Sequence, residues 1–210
     1  LNNVQSHAER AGERLVEKEK NAAVATARKL IDVTVAIAAR EGTLNPPIRA
    51  ILSEAGVSTD TFYRLFPSKD DLLVAVLADG RNQLASYLDH QIKKAQTPTE
   101  AIALWIGAVM AQASDSGAAK RTRPFLVNIG RLSDQFPTEV NQSAEVLIAP
   151  LRTLLLDDRT QSRAEHEAWF VYDTVIGVME RHILGRKIPE PELVSRLIRF
   201  ITAALWPKQP

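Results

Sequence analysis

The chain has 210 residues, 45% hydrophobic and 24% charged, with a formal net charge of +1: ordinary globular composition, enough for one large or two small cores. Its longest apolar run, Ala101 to Ala111, is too short to span a bilayer, and no basic-then-apolar leader precedes a small-residue cleavage site, so a cytoplasmic protein without membrane attachment is expected. Zero cysteines exclude a disulfide framework and thiol chemistry; ten Lys/Arg against nine Asp/Glu in residues 1–70 do not by themselves point to nucleic acid.

Residues 1–24 alternate charge signs over thin apolar content and read as a charged arm or a solvated extension of the next helix. A DNA-touching role for Arg14, Lys18, Lys20 and Arg28 is disfavoured by the interleaved glutamates. From Ala25 to Glu41 the apolar positions form a helical stripe, closed by Gly42. Ile48, Ile51, Leu52 and Ala55 lie on one face of a short helix opened by Pro46 and Pro47. Gly56 ends it in a left-handed turn that Val57 plugs. Ser58 caps the following helix, in which Phe62 and Phe66 face inward and Thr59, Asp60, Tyr63 and Arg64 stay outside. After Pro67, Ser68 and Asp71 form a capping box for a long helix to about Lys94, with Leu72, Leu73, Val76, Leu77, Leu84 and Leu88 inward.

Thr97 caps a strongly apolar helix with Pro98 in its first turn, running to about Asp115. A loop is expected over Ser114 to Arg123, then a short helix from Pro124 to Leu132. A longer helix from Pro137 to Leu156 should kink or split at Pro150. Ser162 is expected to cap another, ending near Gly185, and Pro189 to Leu205 gives the last. No strand alternation survives, so the fold class is all-α.

Two helices around a fixed turn read as a helix-turn-helix. Gly56-Val57-Ser58, Thr61-Phe62-Tyr63, Phe66 and Ser68-Lys69-Asp70-Asp71-Leu72-Leu73 resemble the signature of the TetR-type transcriptional regulators. The resemblance extends back through Leu30, Ile31, Val33, Thr34, Ile37 and Gly42 and covers roughly residues 28 to 77. It implies a DNA-binding domain over residues 25–70 and a C-terminal ligand-binding and dimerisation domain over 71–210, after the arm at 1–24. It also implies roles. Thr59 and Asp60 take base-reading positions, Arg49 reaches a base or phosphate, and Thr61, Tyr63 and Lys69 match phosphate contacts, with Ser58 and Arg64 in the same surface. Two residues depart from the pattern. Asp60 stands where glycine or a neutral residue is usual, which suits a carboxylate only if it accepts a cytosine amino hydrogen or pairs with an arginine. Leu65 replaces a polar aromatic residue, removing one phosphate contact.

The remaining constellations are sparse. His7, His90, His166 and His182 are scattered without metal-ligand spacing, and no nucleophile elbow, phosphate loop or dinucleotide fingerprint is present, so no metal, cofactor or enzymatic activity is expected. Trp105, Val109, Phe125, Asn128, Arg131, Trp169, Tyr172 and Asp173 mix aromatic and polar groups as a ligand pocket does, although plain core explains them too. By the resemblance, Val175, Val178, Met179, Leu193, Leu197, Ile198 and Ile201 would form a two-fold seam between the last two helices of each protomer. The resulting expectation is a homodimeric repressor released from a palindromic duplex operator by a small organic ligand. Its rivals are a regulator controlled by a protein partner or by no ligand, and a helical enzyme carrying a vestigial helix-turn-helix.

Overall fold

The structure, a computed structural model, describes residues 7–42 and 45–207. Residues 1–6 of the charged arm lie outside it. Among the described residues there are nine helices and no strand: α1 (His7–Glu41), α2 (Ile48–Ala55), α3 (Thr59–Leu65), α4 (Lys69–Ile92), α5 (Pro98–Ser114), α6 (Ser116–Gln135), α7 (Pro137–Leu156), α8 (Gln161–Leu184) and α9 (Pro191–Leu205).

Local chemistry sets the first part. Gly56 sits at φ 61° and ψ 36°, and the backbone N–H groups of Gly56 and Val57 donate back to the Ser53 and Leu52 carbonyls at 3.2 and 3.0 Å, a closure that a left-handed residue allows. Ser58 Oγ then accepts from the Thr61 N–H at 3.2 Å to start α3. Ser68 Oγ accepts from the Asp70 and Asp71 N–H groups at 3.1 and 3.2 Å and donates to the Asp71 carboxylate, giving α4 the expected cap. Within these ends, Leu30, Ile37, Ile51, Phe62 and Leu72 are fully buried in one core. Each such side chain contributes about 1.5–3 kcal/mol by leaving water. Thr34 is buried among them, its hydroxyl donating to the Leu30 carbonyl at 2.7 Å.

The second core is built around α5. Ile102, Trp105, Ile106, Val109 and Met110 are fully buried against α7, α8 and α9, and the Trp105 indole N–H donates to the Leu147 carbonyl at 3.2 Å. Helix α4 belongs to both cores, with Leu72 and Val76 in the first and Leu88 in the second. At the far end Arg159 ties three elements together: it pairs with Glu167, donates to the Leu205 carbonyl at 2.6 Å and lies 4.9 Å from the centre of the Trp206 ring.

From His7 onward the charged stretch and the first helix are one 35-residue helix, the extension that the sequence allowed, its exposed charges being helix formers. Three sequence expectations are corrected. The expected loop before Pro124 is helical. Asp115 ends α5 and at once caps α6, accepting from the Ala118 N–H at 2.6 Å, so the helix is already wound when it meets Pro124. Pro150 does not split α7, which runs unbroken from Pro137 to Leu156 with Leu147, Ile148 and Leu151 around the proline buried in the core. The cap of α8 is Thr160, whose hydroxyl oxygen accepts from the Arg163 N–H at 3.4 Å, two residues before the expected Ser162.

Candidate functional site

The outer surface of α2 and α3 gathers the residues singled out as DNA contacts. Arg49, Ser58, Thr59, Asp60 and Arg64 are exposed, and Thr61 is half-buried. Tyr63 is 52% exposed, its ring held edge-on to the buried Phe62 at 5.1 Å between centroids, so packing aims its hydroxyl outward. Arg64 donates to Thr61 Oγ1 at 3.2 Å, and Thr61 Oγ1 accepts from Ser58 Oγ at 3.0 Å, a polar chain along the first turns of α3. Lys69 donates to Asn45 Oδ1 at the edge of the same surface. Partial burial holds its ammonium below the ordinary lysine pKa, with Asp70 opposing the shift. Leu65 turns inward instead and packs against the first core.

Asp60 has no ion pair or hydrogen bond among the described residues, so its carboxylate stands free at the start of α3. The neighbouring acid behaves differently. Asp70 accepts from Arg131, a residue of α6, which joins the base of this surface directly to the C-terminal helices.

A cavity of about 310 Å³ lies beside α4, between it and α6 and α8. Of the eight expected pocket residues, only Phe125 and Tyr172 line it. Trp105 and Val109 are fully buried packing residues of the second core, which the sequence pattern alone did not distinguish from a pocket wall. Asn128 donates to the Pro124 carbonyl at 3.1 Å, Arg131 is held by Asp70, Trp169 donates to Glu165 at 3.0 Å while packing on Tyr172, and Asp173 points to solvent.

The residues that sequence reasoning missed are the charged ones. Arg81 reaches from α4 to the Val140 carbonyl at 2.7 Å and Ser143 Oγ at 2.5 Å. Glu180 lines the cavity without a hydrogen bond or ion pair among the described residues; burial raises its carboxyl pKa, and Arg81 only partly offsets the rise. Burial likewise raises the Tyr172 phenol. Asp79 is already engaged by Arg28 and by Gln83 at 2.7 Å. A signal was available: Tyr172, Ile176, Met179 and Glu180 follow the i, i+4, i+7, i+8 spacing of one helix face, so a carboxylate was written into an apolar stripe.

The residues expected at a seam on α8 and α9 fall into two groups. Val175, Met179, Leu197 and Ile201 are buried in the chain's own core, and Val178, Leu193 and Ile198 are half-buried. The large apolar side chains that these helices leave most exposed are Phe170, at 67%, and Phe200, at 69%. Apolarity identified the helices, but the helix phase, fixed by packing on α5, decides which side is outward.

An all-helical protein with a capped helix-turn-helix set on a larger hollow bundle is the architecture of a one-component DNA-binding regulator. Residues 30–76 match the family model of bacterial regulatory proteins of the tetR family. The HTH-type transcriptional regulator BetI of Brucella suis is 28% identical over 186 residues, 87% of this chain and 92% of that protein. The HTH-type transcriptional repressor KstR of Mycobacterium tuberculosis is 31% identical over 80 residues, 38% of this chain and 36% of the relative. The crystal structure of the transcriptional regulator FadR from Bacillus subtilis, in complex with stearoyl-CoA, superposes with a TM-score of 0.62 at 21% identity, covering 87% of this chain and 99% of that one. Residues 30–76 therefore carry the DNA-binding unit of the tetR family. It is a DNA-binding regulator of transcription and not an enzyme. No helix among the described residues is long and apolar enough to cross a membrane.

Proposed function

We propose that the chain is a cytoplasmic homodimeric repressor whose operator affinity falls when a small organic molecule occupies the cavity beside α4. The observation that carries this reading is a shared wall. Val35 and Val76 line the cavity and also belong to the first core or pack against it, and Phe125 of α6 does both as well. An occupant pressing on Phe125 or Val76 therefore presses on the packing that sets α3. The ion pair between Asp70 and Arg131 gives a second mechanical link between α6 and the start of α4. A transcriptional regulator of the same fold in complex with stearoyl-CoA supports small-molecule input in general.

In this reading the units are residues 25–70 for DNA and 71–210 for ligand and dimerisation, with α4 crossing the boundary and the charged stretch from His7 forming the first half of α1. Thr59 and Asp60 meet base edges in the major groove, Arg49 reaches a base or a phosphate, and Ser58, Thr61, Tyr63, Arg64 and Lys69 hold the backbone. Phe170 and Phe200 lie at the centre of a two-fold contact, with Val178 and Leu193 at its edge; the paired protomers then present two reading helices to a palindromic site. A ligand lowers operator affinity only by its differential affinity for the two arrangements of the dimer.

The test combines a thermal-shift screen with operator titration. Compounds that raise the melting temperature of the wild type but not of Ile176→Trp, which fills the cavity, are titrated against free and operator-bound dimer. The expected result is weaker binding to the operator complex, by the factor that the compound removes from operator affinity. Equal affinity for both forms would reject ligand control through this cavity.

A further inference from the structure

A second cleft, of about 500 Å³, opens between the end of α1, the first half of α6 and the turn joining α8 to α9. Its lining includes the cations Lys120, Arg123, Arg186 and Lys187 beside His182, and no aspartate or glutamate among the described residues. That is unusual within this molecule. The chain is nearly neutral, and its other guanidinium groups are commonly matched to carboxylates: Arg28 to Asp79, Arg40 to Glu54, Arg131 to Asp70, Arg152 to Glu145. In the cleft, by contrast, Lys120, Arg186 and Lys187 have no ion pair among the described residues, and Arg123 donates only to the Leu184 carbonyl at 3.3 Å. Cations gathered in a concave site repel one another and focus a positive potential into it.

The rest of the lining is apolar. Ala113, Pro124 and Ile183 are buried beneath it, while Val127, 49% exposed, and Ile188, 66% exposed, stand at its sides. Arg186 holds a left-handed backbone at φ 54°, the only non-glycine residue among those described that does so, and this conformation turns the chain at the cleft's rim. The combination of a one-signed ring, an apolar floor and a volume within the range of ligand pockets defines the chemistry of an occupant. A duplex, being convex, does not enter such a recess.

We propose that this cleft is a second ligand site, for a small amphipathic organic anion whose carboxylate or phosphate meets Lys120, Arg123 and Lys187 while its apolar part covers Val127 and Ile188. Its position makes it a second input. Gly42, at the end of α1, lines the cleft together with the C-terminal helices, so an occupant touches both units. The inner cavity lies on the other side of the same two helices: Lys120 and Pro124 face the cleft where Arg121 and Phe125 face the cavity, and Ile183 faces the cleft where Glu180 faces the cavity.

The test is calorimetric titration of the full chain with octyl phosphate below its micellar concentration, beside octanoate, inorganic phosphate and octylammonium. Octyl phosphate and octanoate are expected to bind, inorganic phosphate far more weakly, and octylammonium not at all. The double variant Lys120→Glu/Lys187→Glu should weaken octyl phosphate by at least about tenfold, the scale of lost charge-assisted contacts. Ile176→Trp should leave that affinity unchanged. If the double variant fails to melt cooperatively by circular dichroism, the single variants Lys120→Gln and Lys187→Gln carry the same expectation at smaller size. Equal binding of octylammonium, indifference to the charge variants, or loss through Ile176→Trp alone would each overturn the proposal. So would loss of duplex affinity in the charge variants without any binding of octyl phosphate to the wild type, which would make the cluster a DNA contact.

Discussion

Between Ile48 and Leu65 the helices are short, α2 ending at Gly56 and α3 opening at the Ser58 cap, and their apolar faces meet in a filled core; from Gly80 to Ile183 the helices are long, two carry proline in their interiors, and about 310 Å³ between them stays open. The first region is held by bonds between residues a few positions apart. The second is held by side chains brought together over tens of residues, such as Arg81 with Val140 and Trp105 with Leu147. A reading surface needs one geometry, and local signals specify it where α2 ends and where α3 and α4 begin. A sensing region needs room, and long helices packed on one central helix leave it at little cost because each keeps its own backbone hydrogen bonds.

This contrast can be broken first in the filled core. Phe62→Ala should cost about 3–5 kcal/mol, since the ring is fully buried with no space for collapse around it. Ile176→Trp, directed into the open cavity, should change stability by less than about 1 kcal/mol, below the usual cost of overpacking a closed core. Urea unfolding of both variants measures the difference. Comparable losses would mean that the two regions are packed alike.

The next effects concern specificity and the turn. Asp60→Asn replaces an acceptor suited to cytosine by a group suited to adenine, so binding-site selection should return a changed base at one position, worth about 1–3 kcal/mol. An identical motif would remove Asp60 from the base-reading set. Gly56→Ala forces a side chain into a left-handed backbone and should destabilise by about 1–2 kcal/mol. Ser68→Ala should cost about 1 kcal/mol through the lost cap of α4. Thermal unfolding reports both.

The smallest effect sharpens the picture of the cavity. Burial raises the Glu180 carboxyl above its ordinary value of 4.5, so its ionised form is disfavoured in the folded chain. The sign follows from linkage: stability from this group is fully present below pH 4.5 and is lost as pH rises through the higher folded value. Glu180→Gln should therefore be more stable than the wild type at pH 7, and the gain should vanish near pH 4. A gain independent of pH would assign the effect to packing rather than charge.

The amino-acid order determined much by itself because the signals of the reading unit are local. Gly56 can end α2 only by entering the left-handed region, Ser58 and Ser68 cap the helices that follow them, and Phe62 and Phe66 share a face by spacing alone. The same kind of signal located the apolar character of α5, α8 and α9. Tertiary packing decided the rest. Whether Pro124 and Pro150 interrupt their helices depends on the burial of their neighbours, and whether Val175 or Phe170 faces outward depends on how α8 rolls against α5. Trp105 fills a core while Tyr172 edges a cavity, though both are aromatic residues on apolar helices. The cavity and the basic cleft are spaces between helices distant in sequence, and a space of that kind is specified by the sum of the packed volumes around it rather than by any one stretch of residues.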